Sequence, residues 1–395
     1  MKKNKSILAL SLAAVLLISA CGGDTPTSVH PDDLAEPIGG ESTVPEETPT
    51  VPEKEPVVDV PPAEGMVHSF MTNEWIDEDV ANIRPIAVMF PTDRGSQPQY
   101  GIGLAGVLYE CMEEGGMSRQ MGVIEDWQNL EQIGNIRSCR DYYAYWSMEW
   151  DSFLIHWGGP FYLANVTNRP DVNNLTKVQV GSGSETSPAV GGSAFYRWDQ
   201  YDPNNSNPKD TIHNGFTNGA KLTEAINKLG YQLEHRDNYY EPNHFNFAPV
   251  SEPNTLENAR GSFAATEVDL SKIFTTTKTS FTYDEETGTY LKFLYGEPHV
   301  DKTTGEEIQL AFTNIIIQDT YWQYRQDNKY LIFQVHDSGR SGYYFTQGRG
   351  IPITWTKDGD YSPTRYYDLD GNEIQLNTGH TYIGIAQAGR EPIFK

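Results

Sequence analysis

Ile133-Gly-Asn-Ile-Arg-Ser-Cys-Arg-Asp-Tyr-Tyr143, running on to Phe153-Leu-Ile-His-Trp-Gly-Gly159, sets the reading of the whole chain. It predicts a loop that carries Arg137 and Arg140, an aromatic helix over 141–150, and a buried strand over 152–156 that breaks at Gly158-Gly159-Pro160. A guanidinium is a planar fork that grips carboxylate or phosphate through two parallel hydrogen bonds. Two of them at the mouth of a helix, in an acidic chain, either meet carboxylates of their own or hold an anion from outside.

Outward from that stretch the pattern continues as strand and helix. Pro85 to Phe90 reads as a buried strand that ends at a Pro-Thr-Asp-Arg-Gly turn, and Arg119 to Trp127 as another. Gly103 to Glu114 is rich in helix formers and stops at Gly115-Gly116, which predicts a helix. Thr217 to Leu229 puts Leu222, Ala225, Ile226 and Leu229 on one helical face, with Gly230 as the cap. Residues 167–212 are rich in Asn, Gly, Ser and Pro and read as a loop system.

Beyond residue 255 the runs become short, β-branched and aromatic. They cover 280–283, 289–295, 311–318, 330–335, 343–345, 351–356 and 381–386. His336-Asp-Ser-Gly-Arg-Ser-Gly342 among them reads as a hairpin turn. The expected fold class is therefore a mixed α/β N-terminal domain over 66–254 and a β-rich, mostly antiparallel C-terminal domain over 255–395.

The first 20 residues read as a secretion signal: Lys2, Lys3 and Lys5, then an apolar run from Ile7 to Ile18. That run is too short to span a bilayer. Ile18-Ser-Ala-Cys21 resembles a lipobox, so Cys21 is the expected lipidation site, and it would tether the chain to the outer face of the cell membrane. Residues 22–65 hold nine prolines, eleven acidic side chains, one lysine and no Phe, Tyr or Trp. Such a segment cannot bury enough apolar surface to fold, so 21–65 reads as a disordered acidic linker. In an exported chain Cys111 and Cys139 are candidates for a disulfide, with two small buried thiols as the alternative.

A net charge of -25 argues against nucleic acid as a partner, since phosphate binding needs a basic face. No His-Glu-x-x-His, clustered Cys and His, G-x-S-x-G elbow or P-loop occurs, so no metal, cofactor or catalytic residue is assigned. Ser206-Asn-Pro-Lys209 matches S-x-x-K on paper, but Pro208 opposes the helical turn that such a pair needs. The ligand-binding candidates are Glu114, Arg119, Arg137, Ser138, Arg140, His156, His213 and Asn214. If strand and helix alternate, the turns carrying Glu114, Arg119, Arg137 and Arg140 converge at one end of the sheet. Internal Glu–Arg pairing is the alternative. His156 ends an apolar strand, and His213 sits beside Asp210 and Asn214, where a carboxylate can orient an imidazole. The helix aromatics Tyr142, Tyr143, Tyr145, Trp146 and Trp150 read as core.

Arg84-Pro-Ile-Ala-Val-Met, Gln97-Pro-Gln-Tyr-Gly, Tyr109-Glu, Glu114-Gly-Gly-Met-Ser-Arg119, Gly134-Asn-Ile-Arg-Ser-Cys-Arg140, His156-Trp-Gly-Gly and His213-Asn214, taken together, resemble the YerB-like lipoproteins of Gram-positive bacteria. Tyr283-Asp, His299-Val-Asp301, Thr313-Asn-Ile-Ile-Ile-Gln and Thr354-Trp-Thr-Lys357 resemble the same family's C-terminal domain. The family usually has proline where Asn135 and Asp141 stand, alanine at Cys111 and Cys139, and Ala-Pro at Thr211-Ile212. Its biochemical activity is not established. The expectation is a lipid-anchored binding or accessory module for cell-wall polymer or the wall-synthesis machinery. The alternatives are a wall-polymer hydrolase using Glu114 or His213 as acid or base, and a transporter's solute-binding lipoprotein.

Overall fold

Strands from both halves of the chain meet in one sheet. The structure, a computed structural model, describes residues 59–182, 185–198, 213–327 and 329–395. The leader, Cys21, most of the acidic linker and the Ser206–Lys209 motif lie outside the described residues.

Eleven of the described strands form the central sheet: β1 (Ile86–Pro91), β2 (Val107–Met112), β3 (Ser118–Ile124), β4 (Phe153–His156), β5 (Asn174–Thr176), β6 (Phe263–Ala264), β7 (Asn314–Thr320), β8 (Asp337–Thr346), β9 (Arg349–Lys357), β10 (Arg365–Tyr367) and β11 (Thr381–Gln387). Their order is β6-β9-β8-β7-β11-β2-β3-β1-β4-β5, with β10 pairing the later part of β9, Thr354–Thr356. The joining seam is parallel. Ile383 of β11 lies opposite Ile316 of β7 on one side and Tyr109 of β2 on the other. A second sheet of six strands, including Ser280–Asp284 and Thr289–Leu294, is built from the C-terminal half.

The central strands are buried along their whole length: every residue of β1, β2, β3 and β11 is buried. That explains why Ile-Ala-Val-Met-Phe and Val-Leu-Tyr-Glu-Cys-Met are continuous runs rather than alternating ones. Each fully buried side chain such as Ile155 or Leu108 contributes roughly 1.5–3 kcal/mol. α1 (Asp141–Met148) lies on this sheet through Tyr142, Tyr143 and Trp146, all buried. Its tyrosine hydroxyls bond strand backbone: Tyr142 donates to the Met112 carbonyl at 2.8 Å, and Tyr143 accepts from the Cys111 N–H at 3.0 Å. α2 (Gly219–Leu229) ends at left-handed Gly230, as its sequence predicts, and starts two residues later than expected, where the Asn218 side chain accepts from Lys221 N–H.

Three expectations are corrected. The chain over 103–114 is not a helix: Val107–Met112 is the strand β2 at the middle of the sheet, and Gly115-Gly116 turn it into β3 with φ of 73° and 77°. Helix-forming residues lose here because pairing on both edges and full burial outweigh a propensity difference of about 0.5 kcal/mol per residue. The α/β reading of the N-terminal half accordingly gives way to a strand-rich one with few helices. Asp337–Gly342 is strand rather than turn: it lies in β8, bulged between Ser338 and Arg340, and the hairpin closes at Gln347-Gly348. Both of those residues have positive φ, 51° and 68°, as a two-residue turn with the strands' own twist requires. Finally, Cys111 and Cys139 are both free and buried. Cys111 sits mid-sheet on β2, while the Cys139 thiol is turned back on the Arg140 carbonyl at 3.1 Å.

Residues 167–182 and 185–198 are less loop-like than their composition suggests. They supply β5 at the sheet edge and the short strands Val180–Ser182, Glu185–Ser187 and Tyr196–Arg197. The two halves of the chain also share one continuous hydrophobic cluster among the described residues, running from Phe70 to Ala386.

Candidate functional site

The glycine turn between β2 and β3 presents Glu113 and Glu114 next to Arg119, the second residue of β3. The loop before α1 brings Arg137, Ser138 and Arg140 to the same place, held there by Arg137 N–H to the Met89 carbonyl at 2.9 Å and Cys139 N–H to the Gly158 carbonyl at 3.0 Å. Arg119 donates through Nη2 to Glu113 Oε1 at 2.5 Å, and through Nη1 to the Ser138 carbonyl at 2.7 Å and hydroxyl at 2.8 Å. Arg140 Nε donates to both oxygens of Glu114, at 3.1 and 2.9 Å, and its Nη2 reaches Glu114 and, at 3.3 Å, Glu113 Oε2. Its Nη1 donates to the Ser138 hydroxyl at 3.1 Å. Internal pairing thus accounts for Arg119 and Arg140.

The charges are strongly coupled. Burial works against the Arg140 cation, but Glu114 and Glu113 outweigh it and raise its pKa. Burial raises the Glu113 carboxyl against the pull of Arg119 and Arg140. Arg137, half-buried, is pushed down by burial and then by the like charges of Arg119 and Arg140, with Asp93 and Glu113 opposing.

His213 is placed beside Asp93, its Nε2 3.6 Å from Asp93 Oδ2. His213, with help from Arg137 and Arg119, holds the Asp93 carboxyl below its usual range. Asp93 was hidden in the Pro-Thr-Asp-Arg-Gly turn after β1, where a structural role for aspartate is sufficient explanation. Asp210, the partner the sequence suggests for His213, lies outside the described residues.

Two candidates fall elsewhere. His156 is fully buried, with Nδ1 2.9 Å from the Gly158 carbonyl and Nε2 3.4 Å from Asn174 Oδ1, and burial lowers its pKa. Fully buried and held by the Gly158 carbonyl at the nearer nitrogen, it is a core histidine rather than part of the cluster. Asn214 is buried and accepts from Arg197 Nη1 at 2.6 Å, so it is tied to the short strand Tyr196–Arg197. Among the described residues no group of His, Cys, Asp and Glu could hold a metal, and no helix is long and apolar enough to cross a membrane.

The chain matches two family models in order: protein of unknown function (DUF3048), N-terminal domain, over residues 71–232, and the DUF3048 C-terminal domain over 268–383. It is 25% identical over 320 residues to the Bacillus subtilis (strain 168) protein named "Putative lipoprotein YerB", covering 80% of this chain and 85% of that one. The crystal structure of YerB protein from Bacillus subtilis superposes with a TM-score of 0.61 at 20% identity, over 81% of this chain and 96% of that chain, a likeness of fold.

Proposed function

The chain belongs to the YerB-like family, and on that premise we propose that it is a lipid-anchored envelope protein that binds an anionic cell-wall polymer or the machinery that makes it. The lipobox at Cys21 and the name of the Bacillus subtilis relative support the anchor. The acidic linker would then carry the folded part away from the lipid surface, by up to about 3 Å per residue. What supports binding is the crowding of three guanidiniums, two of them bonded to Ser138 and close enough that, after burial, Arg119 and Arg140 lower the pKa of Arg137. An incoming phosphate or carboxylate relieves that repulsion. Glu113 and Glu114 then act as a frame that fixes the forks of Arg119 and Arg140.

The test is titration of a poly(glycerol phosphate) oligomer into the protein and into Arg137→Gln. Loss of at least about tenfold in affinity, with steep salt dependence in the parent, is expected. Equal affinity in the two proteins would sink the reading.

The Asp93–His213 pair favours a second reading, a wall-polymer hydrolase with His213 as the base. Glu114 is a poor acid for it, since the fork of Arg140 occupies both its oxygens. Mass spectrometry of wall fragments after incubation decides: new ends that vanish in His213→Ala would favour the enzyme. The solute-binding alternative needs two similar lobes around a cleft, and a sheet running continuously through both halves does not supply them.

A further inference from the structure

A groove of about 860 Å³ opens between residues 68–73, 240–247 and 365–373. We propose that it is a binding site for a neutral oligosaccharide. Its walls are fixed before any ligand arrives. Arg365 Nη1, on β10, donates to the carbonyls of Asn243 at 2.8 Å and His244 at 3.1 Å and to Glu373 Oε1 at 3.0 Å. Leu376 N–H donates to the Asn246 carbonyl at 2.9 Å, and His244 stacks on buried Trp150 at 3.6 Å. Tyr240 is braced from behind by His235 at 3.9 Å and Phe70 at 5.2 Å. A site held in this way loses little freedom when it is filled.

The chemistry of the lining selects the ligand class. Tyr240, Phe247 and Tyr367 are half-buried aromatic side chains on the groove, and Asn243 and Asn246 lie beside them. Both amides, and both tyrosine hydroxyls, are without a hydrogen-bond partner among the described residues. An acyl chain in this groove would strip water from those groups and return nothing. An ion finds no surplus charge, because Arg365 is paired with Glu373, and His68 lies 3.0 Å from Asp59. A sugar meets both demands. The C–H face of a pyranose is weakly positive and lies against the negative face of an aromatic ring, while its hydroxyls, donor and acceptor at once, match asparagine amides. The volume suits a ligand of a few rings.

The inference is independent of the anion site, and the experiment separates the two. Chitotetraose, cellotetraose and maltotetraose are titrated calorimetrically into the full chain in detergent micelles, with an uncharged tetrapeptide as the competing class. Binding of at least one sugar with a Kd between about 10 μM and 1 mM is expected. It should weaken about tenfold in Tyr367→Ala and in Tyr240→Ala, fall less in Asn246→Ala, and stay unchanged in Arg137→Gln. Melting curves show whether Tyr240→Ala, whose ring also packs on His235, is still folded, and Asn246→Ala tests the groove without touching that packing. No heat with any sugar at about 10 mM, binding of the peptide alone, or sugar binding unaltered in Tyr367→Ala and Asn246→Ala overturns the proposal.

Discussion

Lys357 Nζ lies 3.0 Å from Glu149 Oε2, with both side chains completely buried, so a residue that follows α1 is tied to the end of β9 in the other half of the chain. Thr364 also donates to Glu149 Oε2, from its N–H at 3.0 Å and its hydroxyl at 2.8 Å, and Tyr109 donates to Oε1 at 2.5 Å. Burial works against the charge, but Lys357 and these hydrogen bonds leave the Glu149 carboxyl below its usual range. Glu110 and Lys292, 3.3 Å apart, make a second fully buried pair across the same division. Breaking one partner of such a pair strands the other charge, at a cost of about 3–5 kcal/mol. Glu149→Ala should therefore lower stability by that order in urea denaturation. Because the pair spans both halves, fluorescence and circular dichroism should still report one coincident transition. Two separate transitions in the parent protein would show that the halves fold apart.

Glu125 carries a pH dependence of opposite sign. Burial raises its carboxyl from 4.5 to about 7, against a hydrogen bond from the Ser69 hydroxyl. The folded state therefore holds this proton to a higher pH than the unfolded state. Its contribution is whole below pH 4.5 and is lost as pH rises through about 7. Glu125→Gln should gain relative to the parent across that window, by roughly 1–3 kcal/mol. Parallel stability curves for the two proteins from pH 4.5 to 7.5 would contradict the assignment.

Both remaining cysteines are buried, and burial pushes each thiol above its ordinary range. A form beginning after Cys21 should give no reaction with a thiol reagent while folded and two thiols per chain once denatured. Reduction should leave its melting temperature unchanged. A shift on reduction of several degrees, the size expected when a constraint worth about 2–4 kcal/mol is removed, would mean the thiols are bridged.

Local signals carried much of this fold and failed where tertiary context decided. Gly230 was legible as the end of α2 because capping is settled within a few residues. Phe153–His156 and Thr381–Gln387 were legible because a buried strand is a short apolar run with turns at its ends. Val107–Met112 was not, since Leu, Glu and Met suit a helix as well, and only its neighbours β11 and β3 decide the matter. The parallel seam was likewise invisible, because nothing local in Thr381–Gln387 names β2 as its partner. At the site, Arg119, Ser138 and Arg140 do meet, but by a route the sequence did not show: the expected helix over 103–114 is the strand β2, and it is the β2–β3 turn that brings Glu114 and Arg119 to the loop before α1. Asp93 beside His213 was not legible, as the two are brought together from turns far apart in the chain.

Glu114 gives the sharpest test of what the arginine cluster is for. As a purely structural clamp, it holds the loop before α1 to the β2–β3 turn through Arg140, and Glu114→Gln should then destabilise the protein with no other effect. In an anion site the same carboxylate also competes with the ligand, because Arg140 has one planar fork to offer. Removing the charge exposes part of that fork and leaves Glu113 as the acid nearest to it, at 3.3 Å. The expected outcome is tighter binding of poly(glycerol phosphate), by about tenfold or 1.4 kcal/mol, alongside a loss of stability of about 1–2 kcal/mol. Calorimetric titration read together with thermal melting distinguishes the cases: stability lost with affinity unchanged means that Glu114 and Arg140 serve each other, and Arg137 would then have to bind without them.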